Sequence, residues 1–460
     1  MKKGWKVLFV SLGCDKNLVD SEEMLGALRE KGFEFTDDEN EADAAIVNTC
    51  CFIMDAQKES IDQILALAEL KTEGSLKALI VTGCMAQRYK DEVLKEIPEV
   101  DAVIGTTAET KIAEVLAEIL ANGKSESAGE AGSGGQLLIG DENGRTGTGT
   151  ERVVTTGGYY SYLKIAEGCD KRCTYCVIPS IRGRFRSMPM EELVEQAKKL
   201  AAKGVRELIL VAQETTLYGT DLYGRKALPE LLRVLSEIEG IEWIRLMYCY
   251  PEEITREIAE AMRDLPKVLH YVDMPVQHAS DSILKKMGRR TDRRELTEKI
   301  AMLREVMPDI CIRTTLITGF PGEKEGDHRE LMDFVEKMRF DRLGVFTYSK
   351  EEGTPAAKMS PQVPARIKKK RQKELMLLQQ RIAFEAASEM EGRVLEALVE
   401  GQLVGEDVYL ARTYKDAPGV DGALFIETKR ELLSGDLVKV KVTGSREYDL
   451  IGGLYYESAE

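Results

Sequence analysis

A chain of 460 residues has room for two to four domains, and its 43% hydrophobic content supplies ordinary cores. No run approaches 18 apolar residues, which argues against a membrane-spanning helix. The formal net charge of −15 repels nucleic acid and suits a basic partner, but taken by itself it reads first as solubility. The opening stretch MKKGWKVLFVSLGCDKN has only a short apolar run and reads as a first strand rather than a signal peptide. The expected compartment is therefore the cytoplasm. In that reducing environment nine cysteines point to metal or redox chemistry rather than a disulfide framework.

Residues 5–118 alternate apolar runs with amphipathic helical patterns, such as SEEMLGALREKG, and this predicts a parallel α/β sheet. Three of the runs, WKVLFVSLGC, DAAIVNTCC and KALIVTGCM, end in cysteine: Cys14, Cys50 (followed by Cys51) and Cys84. Parallel strands end along one edge, the edge at which open α/β sheets bind ligands, so three thiols from three loops are expected to converge there. A single strand-end cysteine would be ordinary core packing; three in succession argue for a site. Residues 121–158 are rich in Gly, Ser, Thr and charge, broken only by QLLI, and read as a flexible linker between domains.

From Tyr160 the alternation resumes. YLKIAE, ELILVAQ, WIRLMYCY, LHYVDMPVQ, ICIRTTLITGF and LGVFTYS are six strands with helical patterns between them, too few for a closed eight-unit barrel and suited to a partial (β/α)6 one. Residues 364–391 read as one long helix, and its basic run Arg366–Glu374 as a solvated face. The last 70 residues carry five short strands with turn signals and fit a small antiparallel β-barrel. The expected domains are 1–120, a linker over 121–158, 159–390, and 391–460.

After the first strand of the second domain comes EGCDKRCTYCVIP, with Cys169, Cys173 and Cys176 in C-x3-C-x2-C spacing. A closed zinc site wants four ligands, often two C-x2-C pairs. No second pair exists, and the only histidines are His270, His278 and His328. Three thiolates on one compact loop suit a cubane 4Fe-4S cluster whose fourth iron stays open for a ligand. Cys249 and Cys311 lie within apolar strands and read as core.

This cysteine loop, placed at the first strand of a partial barrel, resembles the radical S-adenosylmethionine (SAM) superfamily. The resemblance implies that Cys169, Cys173 and Cys176 hold the catalytic cluster and that its open iron chelates SAM, whose reductive cleavage yields a 5′-deoxyadenosyl radical. LVAQETTLYG, DMPVQHAS and TTLITGFPGE end strands at the same face. They offer Gln213, Glu214, Gln277, His278, Arg313, Gly319 and Phe320 as candidate cofactor contacts, although for each side chain an ordinary structural role fits as well.

Two cysteine sets on this architecture resemble the methylthiotransferases within that superfamily. The resemblance covers nearly the whole chain. It implies a flavodoxin-like N-terminal domain with an auxiliary 4Fe-4S cluster on Cys14, Cys50 and Cys84, a TIM-like radical SAM barrel, and a C-terminal TRAM domain. SLGCDKNLVDSEEM, MPVQHAS and YSKEEGTPAAKM look like the branch that modifies an aspartate β-carbon in small-subunit ribosomal protein twelve, using two SAM molecules. The alternatives are a transfer-RNA adenosine methylthiotransferase and, in another class, a non-enzymatic two-cluster electron carrier. A zinc-binding interaction module is a further reading.

Charge speaks independently for the protein substrate. Residues 392–460 hold 13 acidic and eight basic side chains, a net of −5, whereas a barrel that binds transfer RNA should be basic. RGRFR (Arg182–Arg186) fits contact with nucleic acid or with a carboxylate, and contact with ribosomal RNA stays open. Met188, Glu214 and the long linker depart from the pattern of the branch. A reduced flavodoxin or ferredoxin is the implied electron donor.

Overall fold

The computed structural model describes residues 4–122, 135–144 and 151–456. These form two compact units. The first comprises the N-terminal region up to Thr155 with the segments Glu167–Arg186 and Glu351–Thr354; the second holds the remainder.

In the first unit, β1 (Lys6–Ser11), β2 (Glu34–Phe35), β3 (Ala44–Thr49), β4 (Ala78–Gly83), β5 (Ala102–Ile104) and β6 (Gln136–Leu138) make one sheet in the order β2-β1-β3-β4-β5-β6. Every pairing is parallel. The order 2-1-3-4-5 is that of flavodoxin-like folds. β3 and β4 are buried at every position, because helices cover both faces of a parallel sheet. Alternation assigns their side chains: Ala45, Val47, Leu79 and Val81 enter one apolar layer, and Ala44, Ile46, Ala78 and Ile80 the other. Each fully buried Ile, Val or Leu adds about 1.5–3 kcal/mol.

Of the stretch read as a linker, 123–134 and 145–150 lie outside the described residues. Between them, the QLL of QLLI is β6, paired with β5 at the sheet edge. Farther on, Arg152 forms a buried ion pair with Glu22, and the Val153 amide donates to the Glu22 carbonyl at 3.1 Å. The cysteine loop, bracketed by the two-residue strands β8 (Ala166–Glu167) and β9 (Arg186–Ser187), is rooted in the first unit: Val177 and Ile181 enter the apolar layer of Val47, Leu79 and Met85.

The second unit contains the six expected strands: β7 (Tyr160–Lys164), β10 (Glu207–Val211), β11 (Trp243–Leu246), β12 (Val268–Asp273), β13 (Cys311–Thr318) and β14 (Arg342–Thr347). They lie in sequential, all-parallel order from β7 to β14 without closing, as a partial barrel does. Helix Ala365–Ser388 runs along β14, where Gln372 donates to the Val345 carbonyl at 2.7 Å. Its basic run is not wholly solvated. Lys369, Lys370 and Lys373 are exposed, but Arg371 is buried and paired with Glu323 at 3.0 Å, because the apolar side of the helix turns it inward.

The C-terminal strands β15 (Val394–Gln402), β16 (Val408–Thr413), β17 (Leu424–Glu427), β18 (Leu437–Arg446) and β19 (Asp449–Leu454) close into a barrel, antiparallel except between β17 and β19. An ion network joins this barrel to the larger one. Fully buried Glu207 binds Arg245 at 2.7 Å and Arg412 at 2.8 Å, and Tyr271 donates to Asp421 at 2.7 Å. Among the described residues, no helix is long and apolar enough to cross a membrane.

Candidate metal centres and cofactor contacts

None of the nine cysteines is in a disulfide. Cys14 is the N-cap of helix Asp15–Glu30. Cys50 and Cys51 follow β3, and Cys84 follows β4 as the first residue of a short helix. The three loops therefore meet at one sheet edge. A Cβ built on Gly13, whose φ is +95°, would stand 3.1 Å from the Cys50 sulfur, so Cys50 points back at the Cys14 turn. Cys51 is instead packed in the apolar layer with Ile64 and Leu67.

Burial pushes the Cys84 thiol well up, with the Arg182 guanidinium pulling the other way. It pushes the Cys51 thiol up to about 12 and raises Cys50 as well. Buried thiols of this kind stay protonated until a metal takes the proton's place. Asn17, fully buried, fixes the edge: its Nδ2 donates to the carbonyls of Leu12 at 3.0 Å and Thr49 at 2.9 Å, and its Oδ1 lies 3.6 Å from the Cys84 sulfur.

In the second set Cys169 and Cys173 are buried and Cys176 half-buried. The Cys169 amide donates to the Gly183 carbonyl at 3.1 Å, and the Cys176 amide to the Cys173 carbonyl at 3.1 Å. The Ile178 amide points at the Cys176 sulfur at 3.4 Å, and burial pushes that thiol up to about 12. Among the described residues, no three His, Cys, Asp or Glu side chains close on one point as the ligands of a single metal ion would. A cubane cluster does not ask for that, because each thiolate sits on a different iron. Two sets of three thiols without histidine fit two such clusters by donor chemistry.

Arg182, read from sequence only as part of a basic stretch, is buried and takes the carboxylate role. Its Nη1 donates to Asp20 at 2.6 Å and reaches Glu167 at 3.4 Å. Its Nη2 bonds to Asn17 Oδ1 and lies 3.5 Å from the Cys84 sulfur. Burial works against its charge, but the carboxylates of Asp20, Glu167 and Glu109 outweigh it and hold the guanidinium protonated. Arg184 is exposed and Arg186 half-buried.

In the second unit the cofactor candidates divide. Gln213 and Gln277 are half-buried at strand ends. Gln277 holds a left-handed φ of +69° and bridges to β13, its amide donating to the Thr315 carbonyl at 2.9 Å. Such backbone strain gathers at functional sites. Glu214 is fully buried and accepts from the Thr216 amide at 2.9 Å, which shapes its own turn. His278 is fully buried, with Nδ1 accepting from the Ser280 amide at 2.9 Å. The Arg313 guanidinium is held by Asp273 at 3.2 Å and Asp421 at 3.6 Å. Gly319 has φ +74°, and Lys368 fills the place of its Cβ; Phe320 is buried edge-on against Tyr348. The residue that sequence reasoning missed here is Glu323, which accepts from the Gly319 amide at 2.5 Å and the Phe320 amide at 3.0 Å and so holds the Gly-Phe-Pro-Gly turn. Its position at the end of that motif was the available signal.

A flavodoxin-like sheet bearing three thiols, a partial barrel with a C-x3-C-x2-C loop at its first strand, and a small closed barrel define a radical SAM enzyme of the methylthiotransferase class. Family models agree: residues 6–105 match the uncharacterized protein family UPF0004, 163–335 the radical SAM superfamily, and 392–454 the TRAM domain. The chain belongs to the family of the ribosomal protein uS12 methylthiotransferase RimO. The relative of that name in Lachnoclostridium phytofermentans is 60% identical, the match covering 97% of this chain and 99% of that one. The one in Acetivibrio thermocellus is 49% identical over the full length of both. The fold is also that of the radical SAM methyltransferase TsrM from Kitasatospora setae, with TM-score 0.54 and 15% identity over 85% of this chain and 76% of that one. The transfer-RNA reading and the electron-carrier reading are not favoured.

Proposed function

We propose that this chain methylthiolates the β-carbon of an aspartate in ribosomal protein uS12. The observation that carries this is the pair of three-thiol sets, one at a strand-end edge and one on a compact loop, in a chain of this family. When bound, two 4Fe-4S clusters and SAM supply the radical, the sulfur and the methyl group. The chain's own part is to hold and orient them. Cys169, Cys173 and Cys176 are the ligands of the SAM-binding cluster, with the Ile178 amide directed at the Cys176 sulfur. Cys14, Cys50 and Cys84 are the ligands of the auxiliary cluster. Gln213 and Gln277 contact SAM, while Glu214, His278, Arg313, Gly319 and Phe320 serve by keeping the strand ends and turns in place. A flavodoxin or ferredoxin is the electron donor, and the reaction belongs to the cytoplasm, on free uS12 or on the small ribosomal subunit.

The test is anaerobic reconstitution followed by incubation of wild type and Cys173→Ala with SAM, a reductant and uS12. Wild type should give uS12 carrying one methylthio group, located at an aspartate by fragmentation, and Cys173→Ala should give neither product nor 5′-deoxyadenosine. Modification of transfer RNA in place of uS12 would overturn the assignment.

A further inference from the structure

Arg182 stands at a place that the reaction as described does not use. It lies six residues beyond Cys176, on the short helix Ile178–Arg182 whose Ile181 is rooted in the first unit's core. Its guanidinium is 2% exposed and divides its donors. One nitrogen serves the carboxylates of Asp20 and Glu167; the other serves Asn17 and the Cys84 sulfur. Asn17 Oδ1 also faces that sulfur, at 3.6 Å, so a single polar node joins the Cys84 thiol to the segment that carries the other three cysteines. A thiolate at Cys84 would face the Arg182 guanidinium at 3.5 Å, while the other nitrogen of that group is held by the carboxylates of Asp20 and Glu167.

A donor N–H and a positive charge beside a ligand sulfur stabilise the reduced, more negative state of an iron–sulfur cluster and raise its potential. We propose that Arg182 is a positioning residue that ties the Cys169–Cys176 loop to the Cys84 sulfur and sets the reduction potential of the cluster held by Cys14, Cys50 and Cys84. This rests on the two-cluster reading above. It assigns to the chain a fixed electrostatic link between its two cysteine sets, made by one side chain.

The experiment uses the full chain carrying Cys169→Ala, Cys173→Ala and Cys176→Ala, reconstituted so that only the Cys14/Cys50/Cys84 cluster remains, at about four irons per chain. Its midpoint potential is followed by electron paramagnetic resonance with Arg182 intact, as Arg182→Lys, as Arg182→Gln and, separately, as Asp20→Asn. Arg182→Gln should lower the potential and alter the spectrum with iron content held. Arg182→Lys should lower it less, because the charge survives and the two-pronged geometry does not. Asp20→Asn should raise it, because it removes an opposing negative charge. Unchanged potential and spectrum in Arg182→Gln with full iron would overturn the proposal. Should Arg182→Gln fail to hold iron, Arg182→Lys and Asp20→Asn decide it, and no shift in either overturns it. A triple-alanine parent without iron would count against the two-cluster reading itself.

Discussion

Cys50 and Cys51 are neighbours in sequence and opposites in surroundings. The first turns to the Gly13–Cys14 turn, and the second is sealed among Ile64, Leu67 and Leu79. Replacing Cys50 by alanine should reduce reconstituted iron from about eight to about four per chain, and Cys51→Ala should keep about eight, read by iron and sulfide analysis. His278 gives a prediction of another kind. Burial pushes it down to about 3, with Asp327 opposing and His328 and Arg371 reinforcing, while the Glu323 carboxylate lies 3.8 Å from Nε2. The unfolded chain binds a proton near pH 6.5 that the folded chain refuses. The contribution of this histidine is therefore complete above pH 6.5 and is lost as pH falls toward 3, at up to about 1.4 kcal/mol per pH unit. His278→Gln should show a shallower loss of thermal stability between pH 6.5 and 4 than wild type, by about one proton's worth of slope.

Among the elements, the segment after β16 does more than link strands. Arg412 at the end of β16 reaches Glu207 at the start of β10, and Tyr414, Asp416 and Asp421 beyond it engage Arg245, Arg342, Tyr271 and Arg313. Glu207→Ala would leave two buried guanidinium groups short of a partner. It should cost about 3–5 kcal/mol, seen as a lower midpoint of thermal unfolding, with Glu207→Gln intermediate. None of these pairings could be read from the sequence, whereas the strands could. Apolar runs such as ALIVTG announce a strand through their own residues, and their glycines mark its end. β6 falls inside the stretch read as a linker, because three residues in a polar stretch carry too little pattern. Arg371 looked like solvated charge, and Arg182 like a contact for nucleic acid or for any carboxylate, because each sits in a basic run. Their partners Asp20, Cys84 and Glu323 lie 162, 98 and 48 residues away, and only the fold supplies them. The cysteine positions are legible for the opposite reason: one set falls at successive strand ends and the other on a single short loop, both visible as local pattern.

At the scale of the whole molecule, the surplus of 79 acidic over 64 basic residues bears on which partner the enzyme meets. The C-terminal barrel shares it, with 13 acidic and eight basic residues in 392–460. A polyanion gains nothing from such a surface, since phosphate binding needs arginine and lysine to displace its counterions. A basic ribosomal protein is drawn to it, and the attraction acts before any contact forms. Exposed charges are screened beyond about 10 Å at 0.1 M salt, so the effect belongs to encounter rather than to chemistry. Raising ionic strength from about 0.05 to about 0.3 M should therefore increase the KM for uS12 several-fold, while kcat and the KM for SAM stay level. Steady-state assays of uS12 modification across that range check it, with transfer RNA added as a competitor that should not inhibit. A KM indifferent to salt would mean that the acidic surface serves solubility alone and that docking is set by apolar contact.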